Sequence, residues 1–228
     1  MPGLFITSTG TGIGKTHLAT GLIEFLRGVG RKVDAFKPVI SGFDPAQAKE
    51  SDTGRLLSAL ELPISDAQIE RISPWRFTAP LSPDMAAAKE SRAIDFDTLV
   101  GFSQSALAAA NDATLIEGVG GIMVPLDREH TVLDWMKALD IPVLLVAGSY
   151  LGSISHTLSA AAVLRQHGIK LAMVAVSESE GSGVDLDETA GTISRFVRNV
   201  GIVTLPRKTG AADAEAAYGF IADCCGLP

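Results

Sequence analysis

Short apolar runs recur along the chain, and between them the apolar positions spread to a helical spacing. The runs are LFIT (4–7), KVDAFK (32–37), ATLIEG (113–118), PVLLVAG (142–148), LAMVAVS (171–177) and GIVTLP (201–206). Several are apolar without interruption, as strands are when both faces of their sheet are covered. Helices are predicted from Lys15 to Leu26, Phe96 to Ala110, Thr131 to Leu139, Ser153 to His167 and Leu186 to Val197. In the first of these, Leu18, Leu22, Ile23 and Leu26 share one face. Strand and helix in alternation predict an α/β fold, a doubly wound, mostly parallel sheet with helices on both faces. The 228 residues suit a single domain, 1–228.

Residues 43–91 break the rhythm. They carry Pro45, Pro63, Pro74, Pro80 and Pro83 and read as a loop-rich insertion with short helices. Two readings stand: a wall for a ligand cleft, or decoration of the sheet edge.

Composition narrows the function more than the fold. With 19 basic and 26 acidic residues the net charge is −7, and no basic run occurs. A nucleic-acid partner is therefore not expected. A phosphate ligand stays open, because a nest of amides with one or two lysines binds one inside an acidic protein. The apolar stretch IPVLLVAG is too short for a membrane span, and MPGLFITS lacks the features of a targeting segment. Cys224 and Cys225 are adjacent and form no bridging framework, so a reducing cytoplasm and a terminal helix with spare thiols are expected.

The stretch TSTGTGIGKTH, residues 7–17, lies between the first strand and the first helix. Its tail, Gly14-Lys15-Thr16, closes a phosphate-binding loop of the kind G-x-x-x-x-G-K-[ST]. Thr9 stands where the leading glycine belongs, so either the loop is one residue longer, with Ser8 at its head, or this is a plain Gly-rich turn. A dinucleotide loop needs G-x-G-x-x-G, and Gly10 and Gly12 followed by Lys15 fail it. As a phosphate loop, its backbone turns at the glycines and helix amides face the anion. Lys15 would then reach the β- and γ-phosphates and the Thr16 hydroxyl would bind Mg²⁺.

In a parallel sheet ligands gather at the carboxyl ends of the strands. Lys37, Ser41, Glu117 with Gly118, Gly120 and Gly121, the segment GSYLGSISH, and Ser177-Glu178 all fall there. Glu117 reads as a metal carboxylate or a surface acid. Asp52 reads as a second metal ligand or a helix cap. Lys37, extended by Pro38, reads as a cleft ammonium or a snorkelling surface lysine. His17 and His156 lie on predicted helices with no partner at metal spacing.

GTGIGKT, KPVISG, ESD, SPWRFTAPLSP, IEGVGG, PLD and VLLVAGSYLGSISH follow in the order and spacing of one family. From about Leu4 to Pro206 the chain resembles dethiobiotin synthetase. That resemblance implies a homodimeric P-loop ligase that uses ATP, CO₂ and Mg²⁺ to close a cyclic urea on 7,8-diaminononanoate. By position, Gly12, Ile13, Gly14, Lys15, Thr16 and His17 would surround the phosphates, and Gly118, Gly120, Ser177 and Pro206 would complete the nucleotide site. Thr16, Asp52 and Glu117 would hold Mg²⁺. Lys15 and Lys37 would be catalytic, and Ser41 would face the diamine. Gly152 and Ser153 would receive the substrate carboxylate from across the dimer. Regulatory ATPases of the partition type are the alternative; they share the loop and the sheet but carry a lysine near the loop head, where this chain has Gly10.

The chain departs from the family pattern at Ser8 (usually Gly), Asp84 (often His), Ser155 (often Asn) and Ser177 with Glu178 (usually Asn and Asp). Ser177 bears on base selectivity, since one hydroxyl cannot reproduce the donor–acceptor pair of an amide.

Overall fold

Alternate residues of the first strand, β1 (Gly3–Ser8), enter two different cores: Leu4 and Ile6 one, Phe5 the other. The same alternation holds in β6 (Val143–Gly148), where Leu144 and Val146 face one way and Val143, Leu145 and Ala147 the other. A strand buried on both faces has no polar side to show, hence the unbroken apolar runs. The computed structural model describes residues 3–109, 111–208 and 210–228.

The remaining strands of the main sheet are β2 (Val33–Phe36), β5 (Ala113–Glu117), β7 (Leu171–Ser177) and β8 (Gly201–Leu205). Their order is β2-β5-β1-β6-β7-β8, and every pairing is parallel. The doubly wound parallel fold expected from the alternation is thus present. The helices α1 (Lys15–Gly28), α2 (Asp52–Ala59), α3 (Asp66–Ile72) and α9 (Ala211–Cys225) pack into one core. The other core takes α4 (Pro83–Lys89), α6 (Val132–Leu139), α7 (Ser153–Gln166) and α8 (Leu186–Phe196). Helix α5 (Phe96–Leu107) gives Leu99 to this second core and Ala106 to the first. The expected end of α5 at Ala110 lies outside the described residues. Trp135 of α6, fully buried, meets Phe5 edge-on at 4.9 Å and donates its indole N–H to Ser103 at 3.1 Å.

The run 32–37 divides. β2 ends at Phe36, and a second short strand, β3 (Val39–Ser41), pairs in parallel with β4 (Trp75–Phe77) outside the main sheet. Pro38 marks the break, as it has no N–H for a ladder. Residues 43–91 hold a 3₁₀ turn (Pro45–Glu50), α2, α3, β4 and α4. Their pairing with β3 was not visible in sequence, because three-residue strands leave no period to read. Register does the rest of the positioning. Phe36 pairs with Ile116 and Ile6 with Glu117, so Lys37 and Glu117 emerge side by side where β2 and β5 end. Among the described residues no helix is long and apolar enough to cross a membrane.

Two predictions follow from this packing. A Cβ on Gly54 would stand 2.1 Å from the Ala48 carbonyl oxygen and 2.7 Å from that of Lys49, both backbone atoms. Gly54→Ala should therefore push the first turn of α2, with Asp52, off the 3₁₀ turn. The expected loss is about 1–3 kcal/mol of stability, read by chemical denaturation; an unchanged midpoint would contradict the contact. The second concerns His130, in the turn before α6. It stacks on Phe96 at 4.0 Å and its Nδ1 lies 2.9 Å from Asp127 Oδ2. The Asp127 bond raises its pKa above 6.5 against a smaller opposing effect of burial, with Asp134 and Glu129 assisting. A raised histidine stabilises the fold fully below its unfolded pKa, and that contribution is lost as pH rises through the folded value. The melting advantage of wild type over His130→Gln should be largest near pH 5–6 and shrink above it. A pH-independent gap would show that the charge plays no part.

Candidate active site

The loop after β1 turns on two glycines in the left-handed region, Gly12 (φ 72°) and Gly14 (φ 103°). Gly14 is also the N-cap of α1, and no side chain caps it. The first amides of α1 therefore have no side-chain cap from that residue and carry the positive end of the helix dipole. That is the arrangement a phosphate loop requires; Ser8, one position before Thr9, is the last residue of β1. Lys15 is buried and folds back, donating to Ser8 Oγ at 3.0 Å, Gly120 O at 3.1 Å and Gly10 O at 3.3 Å. Burial and then the neighbouring Lys37 lower its pKa to about 8, against the pull of Glu117 and Asp52.

Lys37 and Glu117 are both buried, at 2% and 1% exposure, so neither is a surface group. Lys37 Nζ lies 2.6 Å from Glu117 Oε1 and 3.1 Å from Asp52 Oδ2, and donates to Gly118 O at 2.8 Å. Burial works against the Lys37 ammonium, but Glu117 and Asp52 together outweigh it and hold its pKa above the ordinary lysine value. Asp52 is half-exposed; burial would raise its pKa, yet Lys37 and the Thr16 hydroxyl bring it below the carboxylate norm. Its α2 is capped by Ser51, which accepts from the Gly54 amide, so Asp52 is the first helical residue and not the cap. Thr16 Oγ1 donates to Glu117 Oε1 at 2.9 Å.

This donor set suits Mg²⁺. Glu117 Oε2 is buried and has no hydrogen-bond partner. A small hard cation takes one or two carboxylates and fills its remaining positions with water and phosphate oxygens. Among the described residues no cluster of three or more His, Cys, Asp or Glu stands at metal spacing; here two carboxylates and a hydroxyl converge instead.

These groups line a cavity of about 990 Å³. Of the expected residues, Gly12, Ile13, Gly14, Lys15, Thr16, His17, Lys37, Ser41, Asp52, Gly120 and Ser177 form its wall. Glu117 and Gly118 sit behind Lys37 and touch it directly. Pro206 lies between Leu205 and Arg207, both on the wall. Gly152 and Ser153 are not on it; they begin α7, whose N-terminus no side chain caps, and Ser153 Oγ is buried without a partner. The Ser41 hydroxyl is likewise buried and unpartnered. Residues 43–91 supply Asp52, Arg55 and the segment Pro80 to Pro83, so the insertion does wall the cleft. Tyr150 lies in the segment GSYLGSISH already placed at the ligand-bearing edge, though it was not singled out there; Arg55 and Arg207 were not anticipated, since a lone arginine near a helix or strand end is common.

The sequence pattern of the AAA domain family matches residues 2–209. A protein of Acidiphilium cryptum named ATP-dependent dethiobiotin synthetase BioD is 48% identical over 198 residues, which span 86% of this chain and 89% of that protein. The protein of the same name from Caulobacter vibrioides is 46% identical over 208 residues, 91% of this chain and 93% of its own. That of Bacillus licheniformis is 36% identical over 197 residues, 86% and 82% of the two chains. Among solved structures, a chain of the MinC:MinD cell division complex of Aquifex aeolicus superposes with a TM-score of 0.58 at 14% identity, covering 99% of this chain and 94% of that one. MinD of Pyrococcus horikoshii, complexed with Mg-ADP, gives 0.51 at 16% identity, covering 95% and 85%. At such identity the structures establish a shared P-loop architecture and nothing finer. The sequence relatives go further: close to half of the residues agree along nearly the whole length, and the chain belongs to the dethiobiotin synthetase family.

Proposed function

We propose that the protein is an ATP-dependent cyclo-ligase that carboxylates 7,8-diaminononanoate with CO₂ and closes the product to dethiobiotin. The observation that carries this reading is the buried Lys37, Glu117 and Thr16, joined by the half-exposed Asp52, beside an uncapped helix terminus. A partition-type regulator would need the loop, but not a second buried lysine facing a cavity of this size.

The chemistry follows from charge. One amine of the diamine takes up CO₂ and becomes a carbamate. Its oxygen attacks the γ-phosphate of ATP, giving a carbamic–phosphoric anhydride and ADP. The second amine attacks the anhydride carbonyl, phosphate leaves, and the five-membered urea closes. In the middle step an anion approaches a polyanion, so positive charge must stand at the meeting point. Lys37, whose ammonium is held by Glu117 and Gly118, would supply it. Lys15 and the α1 amides would take the β- and γ-phosphates. Thr16, Asp52 and Glu117 would hold Mg²⁺, which when bound shields charge between phosphate oxygens. Ser41 would face the diamine, and holding the second amine near the carbonyl converts lost entropy into rate. His17, Gly118, Gly120, Ser177 and Pro206 would complete the nucleotide site. The whole chain would act as one domain.

The substrate carboxylate would be received at Gly152 and Ser153 from the other copy of a homodimer. Supporting this are the uncapped start of α7, the unpartnered Ser153 hydroxyl, and Leu151 beside them at 93% exposure, a position that a second copy would cover. Two unbridged cysteines suit a cytoplasmic enzyme.

Phosphate release from ATP should depend on the diamine in the presence of bicarbonate; release indifferent to the diamine would point to a regulatory ATPase. Lys37→Ala should lower turnover by about 10²–10³ while nucleotide still binds. It should also cost roughly 3–5 kcal/mol of stability by stranding Glu117, a loss that Mg²⁺ should partly restore in melting experiments. Near-normal turnover would remove Lys37 from the mechanism. Ser177→Asn should raise the preference for ATP over CTP and GTP by about tenfold or more, the worth of one paired donor and acceptor, read as a ratio of kcat/KM values. An unchanged ratio would mean that residue 177 does not read the base.

A further inference from the structure

Ser8 is fully buried at the end of β1, and its hydroxyl sits where three groups of the loop converge. It accepts from Lys15 Nζ at 3.0 Å and can donate to Gly120 O at 3.0 Å or to Gly10 O. Lys15 donates to the same two carbonyls. An ammonium has three N–H donors, and here all three are spent on the protein. A phosphate can engage Lys15 only if some of these bonds break.

We propose that Ser8 is a positioning residue that holds the Lys15 ammonium withdrawn, so that nucleotide binds in competition with this contact. The proposal rests on the nucleotide-binding reading above. Its sign comes from comparing what each partner loses. When Lys15 swings out, Ser8 gives up a charge-assisted bond and keeps a neutral one, because its hydroxyl can still donate to Gly10 O or Gly120 O. Charge-assisted bonds are roughly twice as strong as neutral ones. With alanine at position 8 the withdrawn ammonium would have a buried donor left over, and an unsatisfied charged donor costs more than an unsatisfied carbonyl. The withdrawn state is therefore the one that Ser8 favours. A glycine there, having no hydroxyl, would leave the lysine freer.

The packing makes the contact specific to this corner. A Cβ on Gly120 would stand 2.6 Å from Val124 Cγ2, and one on Gly121 3.3 Å from the Thr9 carbonyl. The glycines after β5 thus bring the Gly120 carbonyl close to the loop head, within reach of both Ser8 and Lys15.

The test is titration calorimetry with ADP and Mg²⁺ on wild type, Ser8→Ala, Ser8→Gly and Ser8→Thr, each checked for folding by its melting curve. Ser8→Ala and Ser8→Gly should bind about threefold to tenfold more tightly, the scale of one hydrogen bond, and Ser8→Thr should match wild type. In steady state the two hydroxyl-less variants should lower KM for ATP with little change in kcat. A merely structural serine predicts the opposite, weaker binding in step with lost stability. Equal or weaker binding by the alanine and glycine variants would overturn the proposal, as would a threonine variant that tightens like alanine. Wild type that fails to bind ADP at all would instead overturn the nucleotide reading itself.

Discussion

The ion pair between Lys37 and Glu117 is the constraint around which the rest of the site is arranged. Two nearly water-free charges 2.6 Å apart are not a cheap way to stabilise a fold. Desolvation of each costs about as much as their attraction returns, and well-packed apolar residues would often serve as well. What the pair provides is a lysine whose charge and direction are set before any ligand arrives. It can do so because both residues leave the sheet at the same level, where register brings Phe36 opposite Ile116. Thr16 of α1 donates to Glu117 Oε1 and the Gly118 carbonyl accepts from Lys37, which leaves Glu117 Oε2 as the one carboxylate oxygen of the pair without a hydrogen-bond partner.

Close approach of backbones makes that level accessible. A Cβ on Gly118 would stand 2.9 Å from the Phe5 ring, and one on Gly14 2.8 Å from Ser177 Oγ. Larger residues at these positions would part β5 from β1, or the phosphate loop from the end of β7. The Gly-rich segments therefore have two separate uses. Gly12 and Gly14 allow the backbone angles of the turn, whereas Gly118 and Gly121 allow proximity.

Much of this was legible in the sequence because the signals were periodic or chemically exclusive. The six main strands and the helices α1, α6, α7 and α8 announced themselves through long apolar patterns, and their predicted ends fell within a few residues of the observed ones. Gly14-Lys15-Thr16 could hardly serve another purpose at a strand-to-helix junction. Glu117 was conspicuous as an acid closing an apolar run. The β3–β4 pairing was not legible, since three residues carry no period. The choice between cap and ligand for Asp52 was undecidable for a related reason: Ser51 and Asp52 are both good caps, and only the backbone reveals that Ser51 took the role. Arg55 and Arg207 reach the cavity through the packing of segments distant in sequence, which no local pattern encodes. Ser8 was readable as a departure from a family pattern, but its contact with Lys15 emerges only once the loop is folded.

The charges of the cleft explain why two lysines can be buried so close together. Burial disfavours the Lys15 ammonium and repulsion from Lys37 adds to this, which is why the Lys15 pKa falls to about 8. Glu117 and Asp52 bring two negative charges against those two positive ones, so the free cleft is near neutrality. The balance is unequally shared, however. Lys37 touches both carboxylates, whereas Lys15 touches only a hydroxyl and two carbonyls. Lys15 is thus the under-compensated cation and the one with most to gain from an arriving polyanion. Lys37, already paired, has less reason to move toward phosphate. On the proposed reading that asymmetry would divide the labour on electrostatic grounds: Lys15 would capture the phosphate tail, and Lys37 would be the fixed charge beside which the anionic nucleophile is brought in.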